Sequence, residues 1–298
     1  MEQQLLGYEH TLYRLDQAEH IVEKLDRVAP QILRTRRNSM RRPVEEIMPD
    51  LRRAGFEHVA YIVEFKHDWS LASALIKRWR PESHTFHLPW REMTITLQGV
   101  TYQLGLTIDG DPVGGCIDGW EQHHDGWSIE NFFQQLLGAI PDLEDKQELE
   151  QDVIEERLLR YRRGYIMQVI GGILFPNASD SRVHIRWLPL LEDHDRYGRL
   201  SWGLAVLAWL YCQMCRAMKH SQRNLGGCIS LLLSWAYLHI PLLWPVGFDT
   251  RRFLLVERWV EYRLDNAKGE HRLRHYRRML NGIGILNVDW TPYAGLHL

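Results

Sequence analysis

Four polar side chains are the candidates of this chain for acid–base chemistry. His84, His87 and Glu92 lie close together in the sequence, and Asp109 follows in a glycine-containing loop. An imidazole beside a carboxylate can exchange protons near neutral pH, because histidine titrates there and the carboxylate orients the ring. This is the one polar cluster for which we consider an enzyme of undescribed type.

A zinc site is the second chemistry that the spacing suggests. Cys212, Cys215 and His220 match the first three ligands of a zinc knuckle, but the fourth position holds Leu225. The segment 209–215 is also typical of a buried helix, where a free cysteine behaves as a small apolar residue. The sequence therefore favours buried thiols over a metal site.

The signatures of common enzyme classes are missing from the sequence. It contains no GxxxxGK[ST] phosphate loop, no GxSxG elbow and no HExxH zinc helix. The segment Asp109–Asp111 lacks the sequence blocks of two-metal phosphatases, and His123–Asp125 is typical of a surface loop. None of the six lysines lies beside a phosphate-binding loop, as a pyridoxal enzyme requires. We therefore predict that the protein is not an enzyme and needs no cofactor or metal.

The composition favours recognition by surface side chains. The chain has 298 residues, is 45% hydrophobic and 25% charged, and its four cysteines suit a reducing compartment. Its net charge of −2 argues against a protein that covers nucleic acid with its whole surface. It has 12 tryptophans, and 30 arginines against six lysines, and both enriched types are favoured at protein interfaces.

We expect a protein-contact surface between Trp79 and Trp90 and in the loop 107–127. Tryptophan and arginine would supply the binding energy there, and burial in the core is the alternative for each aromatic residue. The candidate contact residues are Trp79, Phe86, His87, Trp90, Asp109, Trp120 and Trp127.

Two arginine-rich segments form a candidate basic patch. Residues 34–42 hold five arginines and no acid, which suits a nuclear-import or phosphate-binding segment, with a solvated arm as the alternative. Residues 251–278 hold nine Lys or Arg against four acids in an amphipathic pattern. Binding of nucleic acid by such segments would weaken steeply with salt. The candidate residues are Arg34, Arg36, Arg37, Arg41, Arg42, Arg272, Arg274, Arg277 and Arg278.

The spacing of apolar residues predicts a mainly α fold, a helical globular domain with a small β hairpin or short strands near residues 85–96. A helical stripe is expected over 47–80. Thr96 is placed to cap the next helix and Gly105 to end it. Apolar segments at 164–175, 202–218 and 225–239 predict buried helices that pack on one another.

Changes in composition suggest how the chain is organised. Residues 1–45 predict a helix and a basic arm, and residues 46–294 a domain of two halves with a possible boundary at the acidic stretch 142–156. The N-terminus lacks a secretory signal pattern. The uncharged stretch 224–248 contains Pro241 and Pro245 and too short an apolar run to span a bilayer, so we predict a buried helix and no membrane association.

A series of distinct short motifs lies along residues 46–294. They are WRPESHTFHLP at 79–89, EMTITL at 92–97, LGLTIDG at 104–110, GGILFP at 171–176, VHIRWLPLL at 183–191, LSWGLA at 200–205, GGCISLL at 226–232 and VDWTPY at 288–293. Together they resemble the plant mobile domain family, also labelled aminotransferase-like, which includes the MAINTENANCE OF MERISTEMS (MAIN) and MAIN-like proteins. This chain departs from the family at three places. Arg91 stands where the family usually has glycine, Gln98-Gly99 stands where it usually has an acidic residue followed by a hydrophobic one, and Cys212 stands where arginine is common.

The resemblance implies a role in the nucleus that involves no known catalysis. The expected roles are silencing of transposable elements, genome integrity and meristem maintenance, often with a phosphatase-like partner that carries or binds the same domain. Our leading hypothesis is therefore a non-catalytic protein-interaction module in the nucleus. The alternative is a nucleic-acid-binding or transposon-derived protein that uses the arginine-rich patches.

Overall fold

The computed structural model describes residues 32–33, 42–113, 151–176, 187, 198–218, 222–243 and 269–294. These residues form seven α-helices and one three-stranded antiparallel sheet, which confirms the predicted mainly α fold with a small hairpin. The helices are α1 (Met48–Arg53), α2 (Trp69–Ile76), α3 (Leu97–Leu104), α4 (Gln151–Gln168), α5 (Trp202–Ala217), α6 (Ile229–His239) and α7 (Gly269–Asn281). The strands are β1 (Trp79–Arg80), β2 (Thr85–His87) and β3 (Glu92–Met93), and short 3₁₀ helices cover Glu45–Ile47, Val59–Glu64, Pro241–Leu243 and Ile285–Asn287.

The single helical run expected over 47–80 is wrong in its extent. Gly55, at φ +77°, follows the end of α1, because that backbone conformation suits glycine and does not continue a helix. Asp68 then starts α2, since its carboxylate accepts hydrogen bonds from the backbone N–H groups of Ser70 and Leu71, each at 3.1 Å. Trp79 leaves the helix and lies in β1. The apolar side chains of this stretch pack in the core, as predicted, but they lie partly on helix α2 and partly on strand β1.

The register of the sheet decides which hairpin residues are buried. Trp79 pairs with Phe86, and Phe86 pairs with Met93, so these three side chains share one face. All three are buried, and the Phe86 ring stacks on Trp235 of α6 at a centroid distance of 5.0 Å. On the opposite face, His87 is the partner of Glu92.

Helix α6 lies at the centre of the core. Every residue from Ile229 to Leu238 is buried, as predicted for the segment 225–239, and the helix packs against α2 and α3. Helix α7 packs against α2, and α5 packs against α3 and β1. Among the helices that the structure describes, none has the length and apolar character needed to cross a membrane.

Local signals read from the sequence hold at several helix ends. The Thr96 hydroxyl accepts a hydrogen bond from the Gly99 N–H at 3.1 Å and so caps α3, and Gly105 ends it at φ +65°. Helix α5 follows the predicted segment 202–218 closely. The segment 164–175 is also helical and mostly buried, with α4 continuing into a π-helix at Val169–Leu174. Of the predicted boundary 142–156, residues 142–150 lie outside the described residues, so the boundary stays a prediction.

Two of the sequence motifs meet at the start of α5. The Ser201 N–H donates to the Asp111 carbonyl, and the Asp111 N–H donates to the Arg199 carbonyl, both at 2.8 Å. Gly110 has φ +112°, and a Cβ there would lie 2.2 Å from the Arg199 oxygen, so the approach needs glycine. The motif at 104–110 is thereby fixed on the motif at 200–205, and Asp109 is left exposed on the turn.

Candidate interaction surface

The predicted contact residues divide between the core and the surface. Trp79 is 0% exposed and Phe86 is 1% exposed. A partner cannot reach either ring in this fold, so the expectation that these two residues form contacts is corrected. His87 is half-buried and Asp109 is exposed. The other two candidates, Trp120 and Trp127, lie outside the described residues.

Trp90 is the aromatic contact candidate that lies on the surface, among those that the structure describes. It is 72% exposed, at the tip of the turn that joins β2 to β3. The Leu88 N–H donates to the Arg91 carbonyl at 2.9 Å and closes this turn. A residue at the tip of a turn has no sheet face against which to pack, so the indole of Trp90 points to solvent. Arg91, beside it, is also exposed.

A second exposed apolar segment lies after α7, and sequence reasoning did not identify it. Leu286 is 95% exposed, Ile285 is 45% exposed and Trp290 is 43% exposed. The segment is ordered by local bonds: the Asn287 side-chain oxygen accepts from the Gly284 N–H at 2.9 Å, and the Trp290 indole N–H donates to the Ile285 carbonyl at 3.3 Å.

The hairpin tip and this C-terminal segment lie side by side. The guanidinium carbon of Arg91 lies 5.7 Å from the centre of the Trp290 ring, which is cation–π distance. Between the hairpin tip and the C-terminal segment is a shallow depression that is open to solvent. We call it the tryptophan groove. Its lining residues are Leu88, Trp90, Arg91, Ile283, Gly284, Ile285, Val288 and Trp290.

The core anchors the C-terminal side of the tryptophan groove. The Asp289 N–H donates to the carbonyl of His239, at the end of α6, at 2.8 Å. Tyr293 stacks on Tyr102 at 5.0 Å, and its hydroxyl accepts from the Gln103 amide at 3.4 Å. Burial raises the pKa of Tyr293 to about 12 and lowers the pKa of His239. Both side chains are therefore uncharged near pH 7 and act as fixed packing groups.

The structure brings together only part of the cluster considered for acid–base chemistry. His87 Nε2 lies 3.2 Å from Glu92 Oε1, and the Thr85 hydroxyl donates to Glu92 at 2.7 Å. Burial lowers the pKa of His87 and outweighs the opposite effect of Glu92, so the ring is mainly neutral at pH 7. His84 instead stacks on Tyr211 at 5.5 Å, and Asp109 lies on the turn docked to α5.

The basic candidates on α7 do not all face the same environment. The Arg272 guanidinium lies 3.0 Å from the Asp68 carboxylate, which also accepts from the Tyr276 hydroxyl at 2.7 Å. Because Arg272 neutralises a buried acid, its predicted role as a phosphate contact is corrected. Arg274 and Arg278 are exposed, and Arg277 is half-buried. Arg42 is exposed, whereas Arg34, Arg36, Arg37 and Arg41 lie outside the described residues.

The cysteines considered for zinc have separate environments. Cys212 is exposed on α5, and the Cys215 sulfur accepts from the Trp79 indole N–H at 3.3 Å. Burial raises the pKa of the Cys228 thiol to about 12, which disfavours the thiolate that zinc needs. Within the ranges that the structure covers, no group of three or more His, Cys, Asp or Glu side chains could hold a metal ion. His220 and His123–Asp125 lie outside those ranges.

Known proteins resemble this chain over most of its length. Protein MAIN-LIKE 1 of Arabidopsis thaliana is 34% identical over 257 residues, which is 81% of this chain and 48% of that protein. Protein MAINTENANCE OF MERISTEMS from the same plant is 33% identical over 260 residues, or 82% of this chain and 52% of that protein. The chain therefore spans about half the length of these relatives.

A third relative has a different name and a much longer chain. The serine/threonine-protein phosphatase 7 long form homolog of Arabidopsis thaliana is 37% identical over 202 residues, covering 62% of this chain and 14% of that protein. No solved structure matches. The model of the plant mobile domain matches residues 55–298, which is most of the sequence. The chain belongs to the plant mobile domain family, as its motifs predict.

Proposed function

We propose that this chain is a non-catalytic nuclear protein-interaction module, acting with a phosphatase-like or second mobile-domain partner. Its roles would be silencing of transposable elements, genome integrity and meristem maintenance. The observation that carries the proposal is the tryptophan groove, which the exposed side chains of Trp90 and Trp290 line together with Arg91. Tryptophan and arginine dominate the binding energy of protein interfaces, so this is the surface that a partner would use.

The construction of the groove supports this use. Its two sides are held by the closed turn at Leu88–Arg91 and by the anchoring of Asp289 and Tyr293 on the core. A preordered surface loses little conformational entropy when a partner binds. Clustered exposed apolar side chains also cost solvation free energy in the free protein, and such patches commonly mark interaction sites.

The names of the relatives support the finer parts of the proposal. One relative is named for the maintenance of meristems, and a phosphatase homolog contains a stretch similar to this chain. Both names agree with a module that works in meristems beside a phosphatase-like protein. The nuclear location follows the implication of the family resemblance and the arginine-rich segment 34–42.

Direct nucleic-acid binding is the second candidate, and one observation favours it. Arg274 and Arg278 are exposed on α7, together with His271 and His275. Arg272, in contrast, is neutralised by Asp68, and the chain as a whole carries a charge of −2. The remaining exposed cations would give weak and salt-sensitive binding. A transposon-derived protein with this activity would use the same surface.

Affinity purification from plant nuclei tests the proposal. The tagged full chain, Trp90→Ala and a control, Leu204→Ala, are purified at low and high salt and followed by mass spectrometry and nucleic-acid quantification. Leu204 is an exposed apolar residue that does not line the groove. We expect a phosphatase-like or mobile-domain protein at both salts with the wild type and the control, and its loss with Trp90→Ala. Recovery of nucleic acid at low salt only, without that protein, would support the second candidate instead.

A further inference from the structure

The tryptophan groove also indicates what kind of segment occupies it. We propose that it binds a proline-rich segment in the polyproline II conformation, with an acidic residue that pairs with Arg91. This inference rests on the proposed function, because it names the chemistry of the partner at the same surface. Three properties of the groove carry it: its size, its aromatic walls and its single charge.

Because the groove is small, the free energy of binding can offset only a small loss of conformational entropy in the ligand. It is shallow and open to solvent, and its enclosed room is about that of a single water molecule, far below the ~300–1,000 Å³ of typical small-molecule pockets. A ligand buries little area there, so the binding energy is too small to offset the entropy lost when a flexible segment folds into a helix. Polyproline II segments are extended before binding and lose little entropy.

The walls of the groove have the chemistry that proline-rich segments require. The aromatic side chains of Trp90 and Trp290 line the groove together with the aliphatic side chains of Leu88, Ile283 and Val288. Proline rings pack well on such faces, and grooves lined by aromatic residues are the usual docking sites of these segments.

The two indole N–H groups of the groove differ in their availability. The Trp290 indole N–H donates to the Ile285 carbonyl at 3.3 Å and is therefore occupied. Among the described residues, no acceptor receives a hydrogen bond from Trp90, whose side chain is largely in solvent. Because a polyproline II backbone leaves its carbonyls exposed and has no internal hydrogen bonds, Trp90 can donate to one of them.

The charge of the groove selects against two other occupants. Of the lining residues that the structure describes, Arg91 is the only one with a charge, and its guanidinium is held over Trp290. A second copy of the same surface would bring two Arg91 side chains into one apolar interface, where their repulsion is unfavourable. A purely apolar segment would leave Arg91 partly desolvated and unpaired. A carboxylate beside the prolines removes both penalties.

Fluorescence anisotropy with labelled peptides tests this assignment on the full chain. The probe is a proline peptide with one central glutamate. One control peptide has lysine in place of the glutamate, and another has alanine in place of every proline. We expect the proline–glutamate peptide to bind most tightly and Trp90→Ala to weaken it about tenfold or more. Leu204→Ala should bind like the wild type, and Arg91→Glu should prefer the lysine peptide.

Several results would overturn the assignment. They are tighter binding of the alanine peptide, affinity unchanged by Trp90→Ala, an unaltered peptide preference in Arg91→Glu, or a dimer in sedimentation that Trp90→Ala dissociates. Circular dichroism verifies that each variant is folded. If capture of the nuclear partner needs Trp90 but no proline peptide binds, the proposed function stands and this ligand assignment fails. If the peptide binds but no partner is captured, the proposed function fails.

Discussion

Trp79 and Trp90 belong to the same small hairpin but lie in opposite environments. Trp79 is fully buried, with its ring 4.9 Å from Phe86 and 5.0 Å from Tyr211. Trp90 is mostly exposed and lines the tryptophan groove. The difference follows from register, because Trp79 occupies a paired, inward position of the sheet whereas Trp90 lies at the tip of a turn. Residue type alone therefore does not separate core from contact residues here.

The same division appears on helix α7. Arg272 and Tyr276, one helical turn apart, face the buried carboxylate of Asp68. Arg274 and Arg278 are exposed. One side of the helix contributes to stability and the other is available to solvent, so the two sides should respond to substitution differently.

Removal of the buried indole should have the largest effect on stability. We expect Trp79→Ala to lower the free energy of unfolding by about 4 kcal/mol, because it leaves a cavity and removes the contact with Cys215. Urea denaturation measures the change. A loss below about 1 kcal/mol would contradict the division between the two tryptophans.

The buried acid that faces α7 should come next. We expect Asp68→Ala to cost about 3 kcal/mol, because it leaves Arg272 without its buried counter-ion and removes the N-cap of α2. The exposed Asp109→Ala is the matched control in the same urea experiment. Equal stability of the two variants would show that the Asp68 contacts contribute nothing.

A half-buried histidine beside aromatic rings predicts a loss of stability in acid. His67 lies 5.2 Å from the Trp69 ring and 3.1 Å from the Ser230 hydroxyl, and burial lowers its pKa from 6.5 to about 4. The unfolded chain takes up a proton as pH falls below 6.5, but the folded chain does not until about pH 4. Between pH 7 and 5 this contribution should cost up to about 2 kcal/mol.

The His67 contribution is isolated by comparing variants at the two pH values. The difference in the free energy of unfolding between pH 7 and 5 should be smaller in His67→Gln than in the wild type. His275→Gln, on the exposed side of α7, is the matched control. An identical pH dependence in His67→Gln and the wild type would refute the prediction.

The exposed side of the comparison should show the smallest change in stability. Trp90→Ala should alter the free energy of unfolding by no more than about 0.5 kcal/mol, because its indole makes few contacts with the fold. The same variant is expected to lose the nuclear partner. A large loss of stability in Trp90→Ala would mean that Trp90 is a packing residue and would remove the contrast with Trp79.

Features that depend on nearby residues could be predicted from the sequence. The cap at Thr96, the helix end at Gly105 and the buried helix near 225–239 each depend on local chemistry or on a continuous apolar run. Trp90 was identified as a candidate contact residue because tryptophan is favoured at interfaces, but the same reasoning also selected Trp79.

Features that depend on tertiary contacts could not be predicted. Nothing near Trp290 indicates that it would lie beside Arg91, since the two residues are far apart in the sequence and meet only through the tertiary fold. The exclusion of Trp79 and Phe86 from the contact surface needed the register of the sheet. No local pattern indicates that Arg272 pairs with Asp68, because the arginines of α7 together predict a basic patch.

The contact between Asp68 and Tyr276 has a consequence for synthesis of the protein. The two residues are 208 positions apart, so at translation rates of about 5–20 residues per second Asp68 leaves the ribosome about 10 to 40 s before Tyr276. Until α7 is made, burial of α2 would leave the Asp68 carboxylate without a counter-ion, which is unfavourable. The nascent chain must therefore keep apolar surface exposed during this interval, and its yield in cells should depend on chaperones that bind emerging chains.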